Sequence, residues 1–113
     1  MLASKFRLAK EKDFQRIFKQ GRSVQAALFR IKILKNNLEV SRFAIVISNK
    51  ISKKAAVRNR LKRQISEILR INLTKIKRGF DVVIVVKPVI IGSQYKEIEE
   101  VLMKSLKSAR IFL

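Results

Sequence analysis

The stretch Arg58-Asn59-Arg60-Leu61-Lys62-Arg63 decides how the rest of this chain is read. Five of its six side chains are polar donors, and the one apolar residue, Leu61, falls in step with Val57, Ile65 and Ile68. At 100° per residue these four positions span about 80° of arc, so the segment reads as a helix with a narrow buried stripe. Asn59, Lys62, Arg63 and Arg70 project from the far side. Arg58 and Lys62 are four residues apart, as are Asn59 and Arg63. That spacing lets neighbouring side chains grip successive phosphates of a strand, Arg as a planar fork and Lys as a mobile point charge. A charged helix face usually meets only solvent. Here residues 50–78 hold eleven Lys or Arg against one acid, Glu67, and like charges at helical spacing repel. A helix that forgoes its own ion pairs is built to meet anions from elsewhere.

The whole chain points the same way. Its 113 residues make one domain, residues 1–113, and the 48% hydrophobic content is enough for a core without staples. Twenty-seven Lys and Arg against eight Asp and Glu give a net charge of +19. Self-repulsion of that size is relieved when a polyanion replaces the counterions, which makes nucleic acid the default partner. There is no cysteine and no histidine. Thiol chemistry, disulfides, Cys or His zinc sites and imidazole proton relays are therefore excluded. No apolar run reaches the length of a membrane span. Basic membrane-surface helices carry Trp or Phe on their apolar face, and this one has neither. The opening Met1-Leu2-Ala3-Ser4-Lys5-Phe6-Arg7 has charges where a secretory signal needs its apolar run, and Glu11 and Asp13 argue against a transit peptide. The expectation is a cytoplasmic protein.

Taken in order, residues 11–19 read as a short helix with acids in its first turn, stopped by Gly21. Its apolar set is Phe14, Ile17 and Phe18, all on one face, and serves either core packing or, in part, an exposed stacking surface for bases. A short extended piece surrounds Ser23. Over the second half of residues 24–34, Phe29, Ile31 and Ile33 alternate with Arg30 and Lys32, a half-buried strand with a cationic outer face. Asn36-Asn37 predicts a tight turn, and residues 42–48 the returning strand of a hairpin. Ser52 is the expected N-cap of the long helix. Residues 80–87 form a strand apolar on both faces, hence central, closed by Pro88. Residues 93–111 are the last helix, with Tyr95, Ile98, Val101, Leu102, Leu106 and Ala109 inward and Glu97, Glu99 and Glu100 on a solvated face. The order predicts an α/β (α+β) two-layer sandwich with a small mixed sheet of about four strands.

Pieces dispersed along the chain resemble the protein subunit of bacterial ribonuclease P. They are Arg7-Leu8, Asp13-Phe14, Phe18-Lys19 and Gly21; Ser41-Arg42-Phe43 leading a strand that ends at Ser48; Ala55 followed by the quoted stretch; and Asp81-Val82-Val83-Ile84 with Lys87. The resemblance implies a division of labour: the RNA subunit carries phosphodiester cleavage with bound Mg2+, and the protein, with no metal of its own, binds that RNA and the 5′ leader of precursor tRNA. Carried over residue by residue, it assigns Lys50, Lys53, Lys54, Arg58, Asn59, Arg60, Lys62 and Arg63 to the catalytic RNA. Phe14, Phe18, Arg30 and Lys32 fall to the single-stranded leader, in a cleft between the first helix and the sheet. It also implies a left-handed crossover through the long helix, against the usual right-handed rule, and leaves no part for a membrane or for DNA.

The chain departs from the family pattern in three places. Lys32 stands where many members place an aromatic, so leader binding here rests more on charge than on stacking. Ala44 replaces a glycine, and Asn49-Lys50 replaces a pair of lysines. Two other readings remain open: a ribosomal or RNA-chaperone module indifferent to the leader, and a self-sufficient nuclease using Asp81, Glu67 and a metal.

Overall fold

The computed structural model describes residues 2–113, so only Met1 of the opening stretch lies outside it. Helix α1 (Glu11–Gln20) is followed by strands β1 (Arg22–Gln25), β2 (Phe29–Lys35) and β3 (Arg42–Val46), helix α2 (Ala55–Ile71), strand β4 (Phe80–Val86) and helix α3 (Tyr95–Ser108). Single 3-10 turns lie at Ser4–Phe6, Leu73–Lys75 and Pro88–Ile90. The four strands form one mixed sheet in the order β1-β2-β4-β3, with β3 and β4 parallel and the other pairs antiparallel. This is the expected α+β architecture.

The expected pairing of β2 with β3 is wrong, because β4 lies between them. Val82, Val83 and Ile84 are all fully buried, and a strand apolar on both faces gains most at the centre of a sheet. The segment after β2 is therefore a wide loop and not a tight turn. Asn36 donates its backbone N–H to the Gly79 carbonyl at 2.9 Å, which prolongs the β2–β4 pairing. Its side-chain oxygen accepts the Leu38 N–H at 2.8 Å, and Asn37 takes the left-handed conformation at φ 60° that Asn tolerates. The hairpin that does form joins β1 to β2 through residues 26–28, a stretch without turn residues. Lys87 holds it from outside, its Nζ donating to the Ala26 carbonyl at 2.7 Å and its backbone N–H to Leu28.

Two apolar clusters cover the two faces of the sheet. The larger joins Phe29, Ile31, Ile33, Phe43, Val82 and Ile84 to Leu61, Ile65, Ile68 and Leu69 of α2 and to Ile98, Leu102 and Leu106 of α3. The smaller, under α1, centres on Leu8, Ile17 and Val83, with Phe14, Leu34, Ala44, Val46 and Val85 packed around it. Helix α1 can approach β2 this closely only because Gly21 follows it. A Cβ there would stand 2.5 Å from the Ile17 carbonyl oxygen and 3.0 Å from that of Ile33.

Asp81 is the polar exception in the sheet. It is fully buried and accepts Arg42 Nε at 2.9 Å and Nη2 at 2.8 Å, Arg16 Nη2 at 2.9 Å, and Asn36 Nδ2 at 2.8 Å. Asp13 completes the cluster, 3.4 Å from Arg42 and 3.7 Å from Arg16. One carboxylate thus ties β4 to β3, to α1 and to the loop after β2. Removing it strands two guanidinium groups, so Asp81→Ala is expected to lower unfolding free energy by about 3–5 kcal/mol. Urea denaturation should show a lower midpoint at unchanged slope; a loss below about 1 kcal/mol would mean that solvent replaces the cluster.

Candidate RNA interface

Helix α2 presents the predicted two faces. Leu61, Ile65 and Ile68 are buried and Val57 half-buried, while Asn59, Arg60, Lys62, Arg63 and Arg70 are exposed. Lys50, Lys53 and Lys54, in the loop that leads into the helix, are exposed as well. The helix begins at Ala55, later than Ser52 predicts, and Lys54 occupies the cap position without a side-chain cap bond. Ser52 acts one turn earlier, its hydroxyl accepting the Lys54 N–H at 3.2 Å. Its carbonyl accepts Arg58 Nη1 at 2.7 Å. Arg58 is therefore committed to the helix entrance, whereas Lys53, Lys54, Asn59, Arg60, Lys62 and Arg63 are exposed. None of the five cations among these six forms an ion pair among the described residues. Free backbone N–H groups of the first turn add to the positive field there.

The far end of α2 behaves differently. Arg70 forks onto Glu67, with Nε donating at 3.0 Å. The bonded carboxylate raises the Arg70 pKa above its usual value, and the guanidinium holds the Glu67 carboxyl below its own. Arg42 is likewise raised, first by its hydrogen bonds to Asp81. Burial pushes the Tyr95 phenol up. Glu67 projects from α2 and Asp81 lies on the α1 face of β4, saturated by its donors, so the pair proposed for a self-sufficient nuclease does not converge.

The α1 face of the sheet is best seen as three rows fixed by strand register. Leu34, Asp81 and Arg42 form the first, Ser23, Lys32, Val83 and Ala44 the second, and Gln25, Arg30, Val85 and Val46 the third. Ile17 of α1 clusters with Val83 of the second row. The third lies toward the open end, with Arg30 and Gln25 exposed and Val85 and Val46 half-buried. Phe14 is half-buried and joins Ala44 and Val46 in the cluster around Leu8, Ile17 and Val83, whereas Phe18 is 47% exposed and Ile17 completely buried. The apolar set of α1 is thus divided: Ile17 serves the core and Phe18 offers its ring to solvent. A groove of about 340 Å³ runs from Phe14 past Ala44 and Val46 to Lys62 and Ser66 of α2. Arg30 and Lys32 share the sheet face but sit beyond β4 from that groove.

Sequence reasoning did not find this meeting of Phe14 with Lys62, because nothing local signals that α1 and α2 flank the same edge strand. It also missed the Arg16–Asp81–Arg42 cluster. The signal was available: a lone carboxylate inside the apolar run Phe80-Asp81-Val82-Val83 needs buried donors.

Fold and surface together define a small basic α+β protein whose outer helix face and adjoining groove suit single-stranded and backbone-exposed RNA. The model of the Ribonuclease P family matches residues 2–110. The ribonuclease P protein component of Alkaliphilus metalliredigens is 36% identical over 97% of this chain and 98% of its own length. Among solved structures, the RNase P protein of Staphylococcus aureus is similar at a TM-score of 0.88 and 29% identity, covering 96% of this chain and 98% of that one. That of Thermotoga maritima is similar at 0.83 and 36%, covering 90% and 96%. The chain belongs to the family of protein components of bacterial ribonuclease P, a ribonucleoprotein endoribonuclease of tRNA 5′ processing.

Arg63 and Arg58 separate surface recognition from structure. Arg63→Glu is expected to weaken RNA binding and to flatten the logarithmic salt dependence by about one unit, with no loss of stability. Arg58→Ala should instead cost about 1 kcal/mol of folding stability through the lost bond to Ser52. Binding isotherms across a salt series and thermal unfolding of both variants check the assignment; an unchanged salt slope for Arg63→Glu would remove it from the interface.

Proposed function

We propose that this chain binds the catalytic RNA subunit through the exposed turns of α2 and the loop before them, and holds the 5′ leader of precursor tRNA against Phe14, Phe18, Arg30 and Lys32. The leader would lie across the open row of the sheet, its bases against the aromatic edge of α1 and its phosphates toward Arg30, Lys32 and Lys62. The single observation that carries this reading is the continuity of two surfaces: Lys62 belongs to the basic face of α2 and also lines the groove that begins at Phe14. A protein bridging RNA subunit and substrate needs such a junction. In this reading it acts in the cytoplasm.

The chemistry is assigned to the partner. Among the described residues no group of three or more His, Cys, Asp or Glu is placed to hold a metal ion. Asp13 and Asp81 are turned onto Arg16 and Arg42. Such a donor set does not fit a resident Mg2+, so no step is derived through a metal on this chain. Mg2+ and the cleavage step belong with the RNA, and the protein contributes affinity, leader register and charge neutralisation.

Reconstitution tests the reading. With a bacterial ribonuclease P RNA at low magnesium, the protein is expected to stimulate cleavage increasingly as the leader is lengthened over several nucleotides, and to cleave nothing alone. Phe14→Ala should weaken binding of precursor tRNA, by about 1–3 kcal/mol if one base stacks there, and leave mature tRNA nearly unaffected. Equal losses for both would remove the leader from this groove. RNA binding with no stimulation at any leader length would favour a ribosomal or chaperone role.

A further inference from the structure

A second concavity lies at the other end of the molecule. Helix α2 returns from the end of β3 to the start of β4, so its last turn sits about 25 Å from its first. There the segments before β3, after α2 and before β4 enclose a pocket of about 700 Å³. This is within the roughly 300–1,000 Å³ of sites that take small organic groups. Phe6, Val40, Leu73 and Ile76 supply apolar lining, and Lys5, Lys77 and Arg78 supply charge. All three cations are exposed and unpaired among the described residues. Glu39 is the one acidic side chain that lines it, and Leu113 lines it too.

The walls are fixed by hydrogen bonds. Ser41 is buried, and its hydroxyl donates to the Lys77 carbonyl at 2.6 Å while accepting the Phe80 N–H at 3.0 Å. The Lys77 N–H donates to the Ile111 carbonyl at 2.7 Å. Gly79, at φ +87°, turns the chain between them. Lys77 and Arg78 are thereby held at the mouth on an ordered turn. Lys5 places its Nζ 5.0 Å from the centre of the Phe6 ring, a cation–π contact that brings positive charge and aromatic surface together.

An apolar pocket rimmed by three cations does not fit a neutral apolar partner, which would leave the charges desolvated. Nor does it fit a second copy of a chain carrying +19. Its complement is a planar, weakly polar body joined to an anion. We propose that this pocket takes one nucleotide of a single-stranded RNA segment, its base against Phe6 and Leu73 and its phosphate among Lys5, Lys77 and Arg78. The proposal rests on the reading of this chain as an RNA-binding subunit. It adds a contact separate from both the basic turns of α2 and the groove at Phe14.

The full-length protein is titrated with uridine 5′-monophosphate and, separately, with inorganic phosphate, and followed by NMR. The nucleotide is expected to shift the Phe6 ring protons and the Leu73 and Val40 methyls together with the amides of Lys77 and Arg78. Inorganic phosphate should shift only those amides. Thr74→Trp, which fills the mouth from an exposed position, should abolish the methyl and ring shifts while its thermal midpoint stays within a few degrees of the parent. Lys77→Glu/Arg78→Glu should flatten the salt dependence of RNA binding by about two units. Identical responses to the two ligands, or nucleotide shifts confined to Phe14 and Phe18, would overturn the pocket and leave the subunit reading intact. If pocket shifts persist in a protein that fails to stimulate the catalytic RNA, the subunit reading falls and the nucleotide pocket stands.

Discussion

A buried carboxylate cannot stay charged in a protein interior without donors, and Asp81 collects four of them from three different segments. That constraint sets where α1 lies. Arg16 comes from the middle of α1 and Arg42 from the first residue of β3, so the helix is fixed along the sheet at one end and Phe14 is carried to the edge of β3. The two arginines, Asp13 and Asp81 sum to zero charge, which lets the cluster sit beneath a helix of a strongly cationic protein. Buried ion pairs of this kind contribute little net stability over an apolar replacement and define geometry instead. Here the geometry they define is the spacing between α1 and the open row of the sheet.

The distribution of paired and unpaired charge follows the same logic. Asp13 and Asp81 are paired under α1 and Glu67 at the end of α2, while the cations of the outer α2 face other than Arg70, and those of the second pocket, have no ion-pair partner among the described residues. In isolation this raises the self-repulsion of the chain; in a ribonucleoprotein the phosphates remove it. Arg58 shows that a basic residue in a recognition stretch can still be structural. Its guanidinium donates to the Ser52 carbonyl and so pins the segment that enters the helix, while the positive residues around it stay exposed.

Much of this was legible in local sequence. The stripe of α2 and its basic outer face follow from a 3.6-residue period, and the central position of β4 follows from its lack of a polar face. The inner side of α3 reads the same way, although the helix proper covers Tyr95–Ser108 and not the wider span that its apolar pattern reaches. Ala109 and Ile111 continue the pattern because they are buried in the turn beyond the helix. Other features had no local sign. Residues 26–28 form a hairpin turn closed by the Ala26 N–H on the Phe29 carbonyl and braced by Lys87 from the end of β4, and Asn36-Asn37 gave a turn signal for a loop that must span an inserted strand.

The sequence by itself determined the α+β class, the faces of its helices, the lack of imidazole and thiol side chains, and the basic outer face of α2. Those are properties of composition and short-range period, and each is written within one element. Tertiary structure alone decided that β4 separates β2 from β3, that Arg16 and Arg42 meet Asp81, that Lys62 shares a groove with Phe14, and that Lys5 gathers with Lys77 and Arg78. Each of these joins residues from separate elements, and the energies that select them, desolvation of a carboxylate and burial of a two-faced strand, exist only once the chain has closed on itself.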